Sequence, residues 1–284
     1  MEGFPYFFIM TLIAAWAGLD SRSVASVYIA SDSRISWTPQ VNYNHGKKVF
    51  ASQRTPDIFG YCGDVLFPLL LLDQLVTMID NGLLFEEGED YPDRQKAILY
   101  QLKKSFDDYP HDNPKVMGDV VEIFYCGKDN TNEFHFKKIS WTRTLNRWIV
   151  QDVDVLKDRR SYVLVASGTG QPEFQKKYSE YLNQPGSVRT SRCVFQTFCN
   201  VLENIQNPLC GGAPQLVGLY RRPQTNGMYF GIIYKGYRYF QGLCINTLPN
   251  LHYKKIQWRN EWFELCDAET CKICDGAQRQ PFWH

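Results

Sequence analysis

The sequence predicts an α+β fold, a four-layer α-β-β-α sandwich with a C-terminal extension. Three observations predict it. Strand-type segments come in groups rather than alternating one by one with helices, the helical segments come in pairs, and the middle strands are rich in aromatic and β-branched residues. A parallel doubly wound sheet needs strict alternation, so antiparallel sheets with helix pairs outside are expected.

Residues 11–17 and 26–31 read as buried strands joined by the polar turn "GLDSRS". Residues 47–51 and 58–62 form a further strand pair around "SQRTPD". Gly63 and Asp64 then introduce an apolar helix to about residue 79, with Asp64 as its expected cap. Pro92 marks the start of a second helix, over 93–106, which "DDYPHDNPK" ends. Strands follow at 120–126, 133–141 and 147–155, and "YVLVASGTG" is a buried strand running into a tight turn. Helices are expected over 172–182 and 188–205, the second with Val194, Phe195, Phe198, Val201, Leu202 and Ile205 at helical spacing. Strands at 215–220, 227–234 and 237–240 close a domain over 11–249, leaving a polar tail at 250–284.

With 284 residues, 44% of them apolar, the chain can bury a substantial core. Its formal net charge is +1, and lysines and arginines form no dense run, so nucleic-acid binding has no electrostatic footprint. No apolar run reaches the about eighteen residues of a spanning helix, since "FPLLLL" at 67–72 is closed by Asp64 and Asp73, so a membrane partner is not expected. Nine cysteines, most of them in apolar contexts, fit a reducing, cytoplasmic compartment better than a disulfide framework.

Four short motifs carry the chemistry: Thr11 opening a strand, "ASDSR" at 30–34, "GKKVF" at 46–50 and "GYCGD" at 60–64. Together with "VASGTG" at 165–170 and "NPLCGG" at 207–212, their order resembles the proteasome-type N-terminal-nucleophile (Ntn) hydrolases, which include proteasome β subunits and bacterial proteasome-like proteases. The resemblance spans residues 11–240.

A threonine hydroxyl is a poor nucleophile until something takes its proton, and an α-amine on the same residue, with a pKa of about 8, suits that task near neutrality. The resemblance implies Thr11 as nucleophile, Lys48 beside it, Asp32 paired with that lysine, and the Gly63 N–H as oxyanion donor. Lys47 would face the other way from Lys48 on a strand. Arg34 would support the Asp32 loop, Ser167 would hold the terminal amine, and Tyr61 would line the first specificity pocket. One departure stands out. The family's "D-x-x-S-G-G" stretch has Asn207 and Cys210 here, which offer a neutral carbonyl and a weak thiol where a carboxylate and a hydroxyl are expected.

The expected function is a threonine peptidase or amide hydrolase acting through an acyl-enzyme, without a cofactor. The alternative is a catalytically silent subunit of the same fold that serves as a scaffold. A peptide or protein substrate, a homo-oligomeric ring and an ATP-dependent unfoldase partner are implied by resemblance.

For Thr11 to be a nucleophile, residues 1–10 must be absent. They read as a propeptide or retained plug, or as a misassigned start with translation beginning at Met10. A secretory signal over 3–19 competes, against the acidic Glu2 and the lack of a leading Lys or Arg. In the tail, Cys266, Cys271 and Cys274 with His252 or His284 make a weak zinc pattern; free thiols are the simpler reading. His45, His111 and His135 show no partner pattern.

Overall fold

The computed structural model describes residues 11–86, 88–184, 188–247 and 256–278. Residues 1–10, on which the propeptide, start-site and much of the signal readings rest, lie outside that range.

The opening hairpin forms as its apolar runs predict, with β1 (Ile13–Leu19) and β2 (Val24–Ser31) antiparallel and Ile13 opposite Ser31. Asp20 closes the turn by accepting from the backbone N–H groups of Arg22 and Ser23. On its other edge β1 pairs with β10 (Tyr162–Ser167), and β2 pairs with β11 (Gln215–Tyr220). Beyond β11 come β12 (Met228–Tyr234), β13 (Tyr237–Phe240) and β14 (Leu243–Cys244). A second sheet runs in the order β5 (Val49–Ala51), β6 (Asp57–Gly63), β7 (Val120–Lys128), β8 (Phe134–Thr142) and β9 (Arg147–Val153), all antiparallel. A small hairpin of β3 (Ile35–Ser36) and β4 (Asn42–Tyr43) lies between β2 and β5 in the chain.

Four helices occur among the described residues, and local chemistry sets their ends. Helix α1 (Leu66–Asp80) begins after Asp64, whose Oδ1 accepts the Phe67 N–H at 3.2 Å from one residue before the N-cap position. Helix α2 (Tyr91–Asp107) starts two residues earlier than Pro92 alone suggests, because the Asp90 carboxylate caps it. Helix α3 (Gln171–Leu182) follows the turn after β10. Helix α4 (Ser191–Asn204) starts where the Thr190 hydroxyl accepts the Cys193 N–H at 3.1 Å.

Strand periodicity sorts the core. Along β1, Ala14 and Trp16 join Phe174, Val194, Phe195 and Phe198 of α3 and α4, while Ile13, Ala15 and Ala17 pack with Val49, Ile58 and Phe124 of the second sheet. Helices α1 and α2 cover the far side of the second sheet through Leu72, Leu75, Ile98 and Phe106. Thr11 shares the parity of Ile13, which turns it toward the second sheet.

The tail is more than polar chain. Strand β12 pairs with β11 only through Met228 and Tyr229; the same edge is then taken in parallel by β15 (Gln257–Asn260). A short β16 (Leu265–Cys266) folds back on β15. Trp258 of β15 is 2% exposed and lies against Gly231, where an added Cβ would come within 2.4 Å of the indole. One buried tryptophan facing a glycine anchors a segment whose composition is otherwise that of a loop. No helix among the described residues is long and apolar enough to cross a membrane.

Candidate active site

Three residues expected to act together meet at the end of β1. Thr11 is 1% exposed, and Asp32 and Lys48 are fully buried. The Lys48 Nζ donates to Thr11 Oγ1 at 2.9 Å and to Asp32 Oδ1 at 2.7 Å. Each arrives from a different strand end. Thr11 precedes β1, Asp32 follows β2, and Lys48 precedes β5, held there by its own N–H donating to Gln215 Oε1 at 3.1 Å. Gln215 also donates through Nε2 to the carbonyls of Asp32 (3.0 Å) and Gly46 (2.7 Å), so one amide ties both loops together. Lys47 turns the other way, as expected, and reaches Asp73 on α1 at 2.8 Å.

Asp32 is well supplied with donors. Besides Lys48 it accepts the N–H groups of Leu12 (3.3 Å), Arg34 (3.3 Å) and Gly211 (3.0 Å). Burial pushes its carboxyl above the ordinary range, while the Lys48 ammonium and the Gly211 and Leu12 N–H groups oppose that shift. An ammonium 2.9 Å from a hydroxyl favours the alkoxide, and an Asp–Lys pair without solvent contact is not screened.

The backbone around Thr11 is equally constrained. Its carbonyl accepts the Gly170 N–H at 3.2 Å, and Gly168, at φ +90°, lies so close that a Cβ there would be 2.0 Å from the Thr11 oxygen. Gly63 ends β6 at φ +95°, where a Cβ would meet the Val120 carbonyl at 2.2 Å, so only glycine fits this turn. The same strand touches Lys48, whose carbonyl accepts the Tyr61 N–H at 3.2 Å. A cleft of about 460 Å³ opens beside Gly63, with Ile35, Trp37, Val65, Leu69 and Val116 among its apolar walls.

The remaining expected residues have other partners. Arg34 donates to Asn44 Oδ1 (2.7 Å) and to the Pro208 carbonyl (2.8 Å), joining the Asp32 loop to the 207–212 loop. Asn207 uses its Oδ1 to accept the Leu209 N–H at 3.0 Å, so it is a turn residue. Cys210 pairs its sulfur with Thr169 Oγ1 at 3.1 Å, and burial pushes the thiol up to about 12. The 207–212 loop therefore reaches the centre through backbone, by the Gly211 N–H on Asp32. Tyr61 is fully buried among the α1-facing core residues, with its hydroxyl on the Lys47 carbonyl, and does not line the cleft. Ser167 donates its hydroxyl to Glu122, a residue of β7 that no motif singled out. The signal for Glu122 is legible afterwards: it is the one charge between Val120 and Gly127 in "VVEIFYCG".

Among the described residues no group of three His, Cys, Asp or Glu side chains is arranged to hold a metal ion. Cys266, Cys271 and Cys274 are free thiols, and His252 and His284 lie outside the described residues.

No protein-family model and no curated protein matches the chain by sequence. Its architecture, an α+β fold with largely antiparallel sheets and helix pairs, is nevertheless one that solved structures share. Among the solved structures it resembles are those of Anbu. The helical assembly of the Anbu complex from Pseudomonas aeruginosa aligns at a TM-score of 0.52 and 14% identity, over 86% of this chain and 89% of that one. The Gly-1 mutant of Anbu from Hyphomicrobium sp. strain MC1 aligns at 0.50 and 10% identity, over 86% and 90% of the two chains.

Proposed function

We propose that this chain is an N-terminal threonine hydrolase of amide bonds in peptides or proteins, with the four-layer α-β-β-α arrangement of that class. The observation that carries the reading is the placement of Lys48 Nζ between Thr11 Oγ1 and Asp32, at 2.9 and 2.7 Å, with all three residues buried.

The chemistry follows from the residues present. With Thr11 at the chain terminus, its α-amine takes the hydroxyl proton as Oγ1 bonds to the substrate carbonyl carbon, and the Lys48 charge stabilises the developing alkoxide. The Gly63 N–H serves the oxyanion of the tetrahedral intermediate. Collapse breaks the C–N bond, the leaving amine takes the proton from the α-ammonium, and an ester to Thr11 remains. Water, deprotonated by the same amine, then releases the acid and restores the hydroxyl. The cleft beside Gly63 would take the adjoining substrate side chain, between apolar walls and the charged Asp64, Lys115 and Asp119. Removal of residues 1–10 is part of the reading, because an amide nitrogen on Thr11 is no base.

Self-association belongs to it as well, after the helical assembly of the Pseudomonas aeruginosa Anbu complex. Exposed Trp37, Val41 and Tyr43 on the β3–β4 hairpin, with Leu66 and Leu70 on α1, supply apolar surface for such contacts. An ATP-driven unfoldase would supply extended substrate to a homo-oligomer of this kind.

A silent scaffold is the second reading, favoured by Asn207 and Cys210, neither of which brings a charge to the terminal amine. Intact mass and N-terminal sequencing, followed by labelling with a hydroxyl-directed electrophile, separate the two. A chain starting at Thr11 that is labelled, with labelling abolished by Thr11→Ala, supports the hydrolase; an unprocessed, unlabelled chain supports the scaffold.

A further inference from the structure

Glu122 lies on β7 opposite Cys62 of β6, with the parity of Phe124 and Cys126, and so faces the space between the sheets near Gly63. Its side chain is 14% exposed. Three groups from three other strands converge on it: the Ser167 hydroxyl from β10, the Cys62 thiol at 3.2 Å, and the Lys138 ammonium of β8 at 2.5 Å. A carboxylate in such a place is costly compared with an apolar residue, which makes a purely packing role a poor explanation.

Ser167 sits opposite Ile13 in the β1–β10 ladder, and the next residue, Gly168, packs against the Thr11 backbone. A serine hydroxyl has one proton to donate and two lone pairs to accept with. With its proton on Glu122 and the Cys62 thiol as a second side-chain partner, Ser167 keeps a lone pair for a donor at the Thr11 end.

We infer that Glu122 is a positioning residue: it fixes the polarity of Ser167 so that the serine accepts from the Thr11 α-amine, and it supplies the negative charge that Asn207 and Cys210 do not. The inference rests on the reading of Thr11 as an N-terminal nucleophile. The charged groups around this point are Lys138 on the β8 side and Lys48 with Asp32 on the β5 and β2 sides. The Cys62 thiol, held neutral by burial and by Glu122 itself, bonds to Ser167 as well as to Glu122.

The signs follow. A carboxylate near the amine favours its ammonium form, so it raises the pH at which the amine becomes a base. Glu122→Gln keeps an acceptor for Ser167 and loses the charge; the acid limb of the kcat/KM profile then moves to lower pH by about half a unit to one unit. Glu122→Leu loses both, and kcat falls about ten- to a hundredfold at unchanged KM. On a Ser167→Ala background, Glu122→Leu has little further effect.

The experiment measures pH–rate profiles on protein with Thr11 at its N-terminus, after electrophile labelling of that protein and of Thr11→Ala. Thr11-dependent labelling with shifted Glu122 profiles supports the inference. Thr11-dependent labelling with wild-type pH profiles and kcat in both Glu122 variants, whatever their melting temperatures, overturns it and leaves the nucleophile reading standing. Labelling that survives Thr11→Ala, or none at all, overturns both.

Discussion

Lys48 and Asp32 have no solvent contact, so each is the other's main compensation for burial. Lys48→Ala should abolish turnover and also destabilise the fold by about 3–5 kcal/mol, since Asp32 would be left as an uncompensated buried charge. Adding Asp32→Ala should restore part of that loss, and denaturant titration of the three variants reads the non-additivity directly. Cys210 gives a test of a different kind. With its thiol pushed up to about 12, alkylation by iodoacetamide at pH 8 should be negligible and turnover should survive it. Reactivity should rise about tenfold per pH unit, because only the thiolate attacks. At this scale, Thr11, Asp32 and Lys48 were legible because each sits in a short motif at strand spacing. Gln215 and Glu122 were not, because the contacts that tie them to the site, to Lys48 and to Ser167, are made across more than forty residues and depend on how distant strands come together.

Turns carry much of the site's geometry. Gly168→Ala would force a Cβ onto the Thr11 carbonyl in a backbone region that L-residues avoid, so loss of activity should exceed what the drop in melting temperature explains. One wall of the cleft is a loop, residues 111–119, gathered by a single side chain. Arg143 donates to the carbonyls of His111, Met117 and Gly118 and to the Asp119 carboxylate. Arg143→Ala should speed hydrogen exchange across this loop and raise KM severalfold while kcat changes little, as expected of a residue that shapes the cleft and touches no reacting atom. The main strands and all four helices could be read from periodicity and caps. The β3–β4 hairpin and the strands of the tail could not: they are two to four residues long, too short to show a period, and β15 takes its main pairing from β12, distant in sequence.

Across the whole molecule, the two sheets depend on segments far apart in the chain. Strand β15 completes an edge of β12 that β11 leaves uncovered, and Trp258 closes it. Deleting residues 250–284 should therefore lower the melting temperature and raise aggregation measured by light scattering, since an open edge next to an uncovered apolar groove is a template for other chains. The fold class was visible in the grouping of strands and helices, whereas the anchoring role of the tail hung on one tryptophan meeting one glycine. The same long-range dependence bears on when the centre becomes competent. Thr11, Asp32, Lys48 and Gly63 all leave the ribosome early, yet the Gly170 N–H that holds the Thr11 carbonyl and the Gly211 N–H that holds Asp32 are synthesised much later. A nascent chain stalled before residue 211 would carry every one of those four groups and still lack the geometry to use them, so an incomplete product should be inert toward its neighbours on the polysome.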